Sequence, residues 1–273
     1  MARESIADRV ERLEIPFGRL GVDAFGISKK HLRVAFRGLH FLYRHYFSME
    51  VLGLEHVPAR GRAMLVGNHS GGVAIDGAMV LASMFFAMDP PRLAHGMAEK
   101  FINKVPFASE WANRTGQFTG LPETATRLLE DDRMLVVFPE GARGTAKLYK
   151  ERYSLVDFGT GFMRLALKTK TPVIPFAFTG GGDAVPTIAN AYALGRLFGM
   201  PYIPVTPYLV ALPLPVSLSV EYGEPLRFFG TGDEDDFTIV SYVDEVKARI
   251  AELLERGKER RSKRKALVLG RSR

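Results

Sequence analysis

The sequence predicts an α/β fold: a mixed, partly parallel central sheet flanked by helices, with an N-terminal amphipathic helical segment. Three observations carry that expectation. First, short apolar runs of strand length, Ala63-Met64-Leu65-Val66, Met134-Leu135-Val136-Val137 and Pro172 to Thr179, lack polar alternation and read as strands buried on both faces. Second, Ala78 to Met88 and Pro122 to Arg133 fall between them and read as helices, giving a strand-helix-strand rhythm and hence parallel members. Third, these strands run straight into polar loops containing glycine, which is how an α/β sheet builds a site at its strand ends.

Taken in order, residues 1 to 27 read as a short polar helix and a loop holding Pro16 and several glycines. Ser28 stands as a helix cap. From Lys29 to Phe47 there is no proline and only one glycine, Gly38. Leu32, Phe36, Leu39, Tyr43 and Tyr46 recur at helical spacing, with Lys30, Arg33, Arg37 and Arg44 along a flanking stripe. Two readings fit this segment: a helix packed on the domain with solvated arginines, or a basic amphipathic helix lying in a membrane interface. Glu50 to Val57 reads as a short strand and turn leading to the Met64 strand. Pro90-Pro91 ends the helix before it, and Gly96 to Lys104 reads as a further helix carrying Lys100 and Lys104. Trp111, the only tryptophan, reads as a packing residue.

Pro122 and Glu123 have helix-start character, and Leu128 and Leu129 point that helix at the core. Gly159 and Gly161 open a helix to Lys170, but the third glycine of a dinucleotide fingerprint is absent. The strand ending at Thr179 delivers a third polar loop, Gly180-Gly181-Gly182-Asp183. Arg196 and Glu221 then bracket an uncharged run holding Pro201, Pro204, Pro207, Pro213 and Pro215. A bilayer needs about 20 apolar residues, a length this run reaches. Five prolines would leave too many backbone groups unpaired for a spanning helix, so no transmembrane segment is expected. The run either lines an acyl-chain cavity, dips into headgroups or is an irregular apolar connection. Val216 to Tyr222 reads as the last strand and Phe237 to Arg256 as a final amphipathic helix.

With 273 residues and 47% hydrophobic content, the chain is long enough for one large domain. The expected organisation is a helical, membrane-interface segment at 1–49, an α/β domain at 50–255 and a basic tail at 256–273. Zero cysteines exclude disulfides, thiolate metal sites and a cysteine nucleophile. The charged start, Met1-Ala2-Arg3-Glu4-Ser5, lacks the apolar core of a secretion signal, so a cytoplasmic protein is expected. The formal charge is +7, and nine Lys or Arg against Glu259 put +8 into residues 256–273, leaving −1 elsewhere. That tail is either a solvated helix end or a polybasic segment for anionic lipid, worth about 1 kcal/mol per basic residue at the surface. It lacks the interleaved aromatics of a single-strand nucleic-acid binder, so no nucleic-acid partner is expected.

The chemistry concentrates in two loops. Val66-Gly67-Asn68-His69-Ser70-Gly71-Gly72-Val73-Ala74-Ile75-Asp76 delivers a histidine at a strand end, rigid behind and open in front. An imidazole titrates near neutral pH and takes a proton from a hydroxyl, which suits a general base. Ser70, Gly71 and Gly72 leave the backbone open to a substrate or to a developing negative charge. Asp76 is the nearest carboxylate able to hold the ring in one tautomer. The plainer alternative makes His69 a turn residue and Asp76 a helix N-terminal carboxylate. The second loop, Phe138-Pro139-Glu140-Gly141-Ala142-Arg143-Gly144, fixes a turn, supplies an acceptor at Glu140 and aims a fork of donors from Arg143 at a phosphate or carboxylate.

Together these loops resemble the PlsC-like glycerolipid acyltransferase family, which includes bacterial lysophosphatidic acid acyltransferase. His69 and Glu140 match its histidine and F-P-E-G motifs in order and separation, and Val173-Ile174-Pro175-Phe176 matches its later apolar-proline strand, so the likeness covers about residues 50 to 225. Two departures stand out. Six residues separate His69 from Asp76 where the family usually has four, a form similar to its monoacylglycerol-type branch. Gly116-Gln117-Phe118-Thr119-Gly120 lacks the arginine thought to grip the acceptor's phosphate, which leaves an acceptor without phosphate, or Arg143 or Arg114 in that role.

The resemblance implies a fatty acyl transfer from acyl-CoA or acyl carrier protein, as co-substrate, to the hydroxyl of a lysolipid, at the cytoplasmic face of a membrane by a monotopic or peripheral protein. It implies His69 as base, Asp76 as its orienting group, with Asn68, Ser70, Gly71, Glu140, Gly141 and Arg143 as substrate-binding residues. No metal or bound cofactor is implied. Read from their charge alone, Lys100 and Lys104 either meet the donor's phosphates or are plain surface lysines. Asp183 stands as a second carboxylate able to orient His69, or as a helix N-terminal carboxylate. An ester hydrolase is the runner-up enzyme class, but no Gly-x-Ser-x-Gly elbow is present. A lipid-binding protein without turnover is the alternative outside enzymes.

Overall fold

The computed structural model describes residues 4–98, 107–209 and 212–270. Two short helices lead, α1 (Ile6–Glu11) and α2 (Lys29–Phe41), the latter running into a π-helical turn at Leu42–Tyr46. Then come β1 (Glu50–Leu52), β2 (Ala63–Gly67), α3 (Ile75–Ala87), β3 (Ala94–Ala98), α4 (Ala108–Arg114), β4 (Phe118–Thr119), α5 (Pro122–Glu130), β5 (Met134–Val137), α6 (Ala142–Thr145), α7 (Gly161–Lys168) and β6 (Val173–Thr179). The last third holds α8 (Gly181–Ala184), β7 (Ala189–Ala191), α9 (Tyr192–Leu197), β8 (Ile203–Val205), β9 (Ser219–Tyr222) and α10 (Asp236–Gly270).

The main sheet has the order β1-β9-β6-β2-β5-β3-β4. β6, β2, β5, β3 and β4 are mutually parallel, whereas β9 runs antiparallel to β6 and β1 parallel to β9. The sheet is therefore mixed and partly parallel, as its apolar runs implied. Alternate residues of one strand serve different halves of the core. Met64 and Val66 of β2 join Leu32, Phe36, Leu128, Met163, Val246 and Ile250 on one side. Leu65 joins Met79, Val80, Phe176, Phe178 and Tyr222 on the other. Continuous burial on both faces is why these strands carry no polar alternation.

β2 lies between β5 and β6, with Val66 level with Val137 and Gly67 level with Phe176. All three strands point the same way, so the loops that follow them, at 68–74, 138–141 and 180–183, open at one edge of the sheet. That placement is what the site depends on.

Three expectations are corrected. Gly96 to Ala98 belong to strand β3, not to a helix, because His95 and Gly96 pair in register with Leu135 and Val136; Lys100 and Lys104 lie outside the described residues. The basic tail is no separate unit: α10 runs unbroken across residue 255 to Gly270, and Arg256, Arg260, Arg261 and Arg264 pair with carboxylates of the sheet edge. Residues 1–49 do not stand apart either, since Val10, Ile27, Leu32 and Phe36 sit in the main core and Phe36 stacks on Phe85 with ring centroids 3.7 Å apart. Among the described residues no helix is long and apolar enough to cross a membrane.

The proline-bearing run folds as an excursion from the sheet. β7 and β8 pair antiparallel as a two-stranded ribbon, and the chain returns past Pro213, whose carbonyl accepts from Tyr46 Oη at 2.6 Å. Prolines there remove donors that a longer ladder would need, which keeps the ribbon short.

Candidate active site

His69 is the second residue beyond β2. Its Nδ1 lies 3.0 Å from Asp76 Oδ2, and that oxygen also accepts from Ser70 N at 2.8 Å and Ser70 Oγ at 3.1 Å. Asp76 Oδ1 accepts from Gly77 N at 2.8 Å. The aspartate sits in the first turn of α3, so the six-residue spacer is used up by the loop that folds back from strand to helix. A carboxylate on Nδ1 places the ring proton there and leaves Nε2 as the basic nitrogen. Among the described residues Nε2 has no hydrogen-bond partner, and the side chain keeps 11% exposure. Phe138 stacks on the ring at 4.0 Å and 11°, itself held edge-on by Phe176, so the imidazole plane is fixed from one side.

Burial pushes the Asp76 carboxyl up. The charge and hydrogen bond of His69 and the amides of Ser70 and Gly77 outweigh it, and together hold the group below the usual carboxylate range. The aspartate is therefore an anion at neutral pH, able to stabilise a positive imidazolium.

Glu140 points into the protein. Its side chain is fully buried, Oε1 accepts from His69 N at 3.0 Å, and Oε2 accepts from Val156 N at 3.0 Å and pairs with Lys147 Nζ at 2.5 Å. Lys147 Nζ also donates to His69 O at 2.8 Å. Backbone N–H and C=O of the histidine are thus each held by one member of a buried ion pair. Burial lowers the Lys147 ammonium below its ordinary range, against the pull of Glu140 and Asp76. The expectation that Glu140 binds substrate is corrected: both of its oxygens are engaged by the protein, because a charge buried this deeply persists only when it is paired. Glycine at 144 permits this closeness, since a Cβ there would sit 2.6 Å from Glu140 Cβ and 2.8 Å from His69 Cβ.

Asn68 is likewise scaffolding, completely buried, with Oδ1 accepting from Phe178 N at 2.8 Å and Nδ2 donating to Phe178 O at 3.1 Å. It continues the β2–β6 ladder one step past Gly67. Ser70 is buried and spent on Asp76. Gly71, at φ 90°, and Gly72 turn the chain toward α3, and among the described residues their amides donate to no protein acceptor. Gly141 closes the turn after Phe138 at φ 55°. Arg143 is solvent-exposed, with Nη2 donating to Asp157 O at 3.0 Å and Nη1 3.9 Å from the Asp157 carboxylate. Arg114 lies on α4 with Glu110 and the carbonyl of Gly26, not against the histidine loop. Asp183 is held by Arg152 at 3.2 Å and Arg261 at 2.7 Å, so Asp76 is the carboxylate on the histidine.

Sequence reasoning missed Lys147, Phe138 as the stacking partner, and Tyr202. Lys147 follows Glu140 by seven residues, a spacing that signals contact only if the segment is read as helical. Tyr202 Oη donates to Gly72 O at 3.2 Å across 130 residues, for which no local signal exists.

A family model described as Acyltransferase matches residues 48–179, which contain every residue of this site except Tyr202. An uncharacterized protein of Mycobacterium tuberculosis is 31% identical over 250 residues, covering 88% of this chain and 70% of its own length. The DGAT1/2-independent enzyme synthesizing storage lipids from Gallus gallus is 22% identical over 187 residues, covering 68% of this chain and 54% of that protein. In fold, the chain is similar to the crystal structure of the 1-acyl-sn-glycerophosphate (LPA) acyltransferase PlsC from Thermotoga maritima. The TM-score is 0.54 at 19% identity, over 82% of this chain and 79% of that one.

Proposed function

The chain belongs to the PlsC-like acyltransferase family, and from that premise we propose that it moves a fatty acyl group from a thioester, on coenzyme A or acyl carrier protein, to the hydroxyl of a glycerolipid-like acceptor at a membrane surface. The observation that carries this reading is the oriented His69–Asp76 pair, with Nε2 left open at the strand edge. Nε2 takes the proton as the acceptor oxygen attacks the thioester carbonyl, and Asp76 stabilises the imidazolium. The tetrahedral intermediate collapses with cleavage of the C–S bond, and the thiolate leaves with the proton returned from His69. The amides of Gly71 and Gly72 are unspent donors in the histidine loop, suited to the transient oxyanion. No covalent acyl-enzyme is required.

Action at a lipid surface is supported by the excursion around β7 and β8. Ile188, Leu194, Leu197, Phe198, Leu209 and Leu212 are all exposed there, and Phe41 of α2 is exposed as well. Exposed apolar side chains on that scale mark an interaction face. The same excursion touches the histidine loop through Tyr202 and Gly72, so a membrane beneath it would lie next to the base.

Purified protein given acyl-CoA and a panel of lysophospholipids, glycerol phosphate and monoacylglycerol tests the reaction. His69→Ala is expected to abolish product while liposome binding is kept. Equal turnover in the variant would remove His69 as base, and no turnover in the parent with any acceptor would leave a lipid-binding scaffold.

A further inference from the structure

A cavity of about 700 Å³ opens at the sheet edge on the β9 and β1 side. Its walls include Leu214, Val216 and Leu218, and its rim carries Arg260, Arg261 and Arg264 from two successive turns of α10. We propose that this cavity binds a phosphate ester carried on an apolar limb, a deepening that rests on the acyl-transfer reading above.

The rim's charge is only partly used. Arg260 shares Glu221 with Arg256, Arg261 holds Asp183 and the carbonyl of Ser217, and Arg264 stands 3.9 Å from Glu50. Arg152 also holds Asp183, so at and beside the rim five guanidiniums share three carboxylates, of which Asp183 and Glu50 line the cavity with Arg260, Arg261 and Arg264. Nε of Arg261 is buried with no hydrogen-bond partner among the described residues, an unspent donor on a residue that lines the cavity. Arg264 is mostly exposed and loosely engaged, ready to exchange Glu50 for a better acceptor. A guanidinium fork matches a phosphate oxygen pair, and the apolar wall fits a chain rather than a sugar alone.

The cavity also backs onto the histidine loop at Ser70. The turn at Gly180–Asp183 is pressed between the two: a Cβ at Gly180 would meet Arg261 Nη1 at 2.6 Å, and one at Gly181 would lie 1.9 Å from Ser70 Oγ. Tyr149, another lining residue, stands two positions past Lys147. Leu212 and Leu214 continue the cavity onto the exposed apolar excursion. A single-chain amphiphile taken from the lipid face therefore finds its anion site on α10. The same chemistry fits the phosphates of a coenzyme A thioester.

Calorimetry separates these sources, using the full chain with monomeric lysophosphatidic acid, its phosphate-free monoacylglycerol counterpart, and coenzyme A. Arg264→Glu is expected to weaken one of the two phosphate ligands about tenfold, the loss of one charge-assisted contact, while monoacylglycerol binding changes less than about twofold. Loss on lysophosphatidic acid assigns the site to the acceptor, and loss on coenzyme A assigns it to the donor. Leu214→Trp, which fills the cavity from a half-exposed position, should weaken whichever ligand Arg264→Glu weakens. If both variants bind all three ligands like the parent, the proposal is wrong. Binding is read without turnover, so failure of His69→Ala to lose activity would sink the catalytic reading and leave this site standing.

Discussion

At the scale of single residues, the strand-end histidine was legible because its chemistry needs a particular neighbour, and Asp76 was the nearest carboxylate in the chain. Replacing Asp76 by Asn keeps the shape but offers Nδ1 an amide in place of an anion, so the ring loses its tautomer control and the imidazolium loses its counter-charge. By analogy with other aspartate-oriented histidines, kcat should fall about 10³- to 10⁴-fold. The acceptor's KM should move little and the melting temperature should not rise or fall by more than a few degrees. A variant with near-parental kcat would mean that Asp76 only shapes the turn. What the sequence hid is burial. A glutamate between proline and glycine reads as an open acceptor, and nothing local says that Lys147, His69 N and Val156 N consume it. Glu140→Gln should therefore act on stability first, by about 3–5 kcal/mol in urea unfolding, because a buried ammonium is left without its anion. The double variant Glu140→Gln with Lys147→Met should recover part of that loss; if the two single losses simply add, the pair is not coupled.

At the scale of elements, the central strands and the helices between them were readable because double-sided burial writes continuous apolar runs. The departures have two causes. Residues 94–98 form a strand whose partners are β5 and β4, long-range pairings that leave no periodic trace in five residues containing a glycine and a histidine. α10 was expected to end at Arg256, since a run of cations reads as a solvated tail. Its cations are instead spaced to reach Glu221 and Asp183, both mostly buried. Truncation after Glu255 should consequently destabilise the fold by roughly 3 kcal/mol, since Glu221 loses the guanidiniums of Arg256 and Arg260 and Asp183 loses that of Arg261. Lys258→Gln with Lys263→Gln, which touch only solvent-side positions, should leave unfolding unchanged within about 0.5 kcal/mol. Equal stability of the truncated chain would show that the docked arginines contribute nothing, and vesicle binding could then be read from the truncation directly.

At the scale of the whole molecule, the two halves of the core meet the exterior through few titratable groups, and one of them makes stability depend on acid. His95 is completely buried on β3, with Nδ1 donating to Gly116 O at 3.0 Å and Nε2 without a partner among the described residues. Burial is the main cause that lowers its pKa to about 3. The charges of Arg133 and Arg92 add to it, against the Gly116 bond and Asp131. An unfolded histidine titrates near 6.5. Between those values the unfolded chain binds a proton that the folded chain refuses, so stability must rise with pH across the window and fall on acidification. The slope from this one group approaches about 1.4 kcal/mol per pH unit below pH 6. The lowered Asp76 carboxyl acts in the same direction, its contribution present above the ordinary carboxylate range and lost as the pH falls through its folded value. Urea unfolding followed from pH 7.5 to pH 4.5 should therefore be flat at first and then decline. His95→Gln can still donate to Gly116 O but binds no proton, so its curve should lose about one proton's worth of slope between pH 6 and pH 4.5. A variant that declines as steeply as the parent would place the acid sensitivity in other groups, with His95 no more than a packed ring.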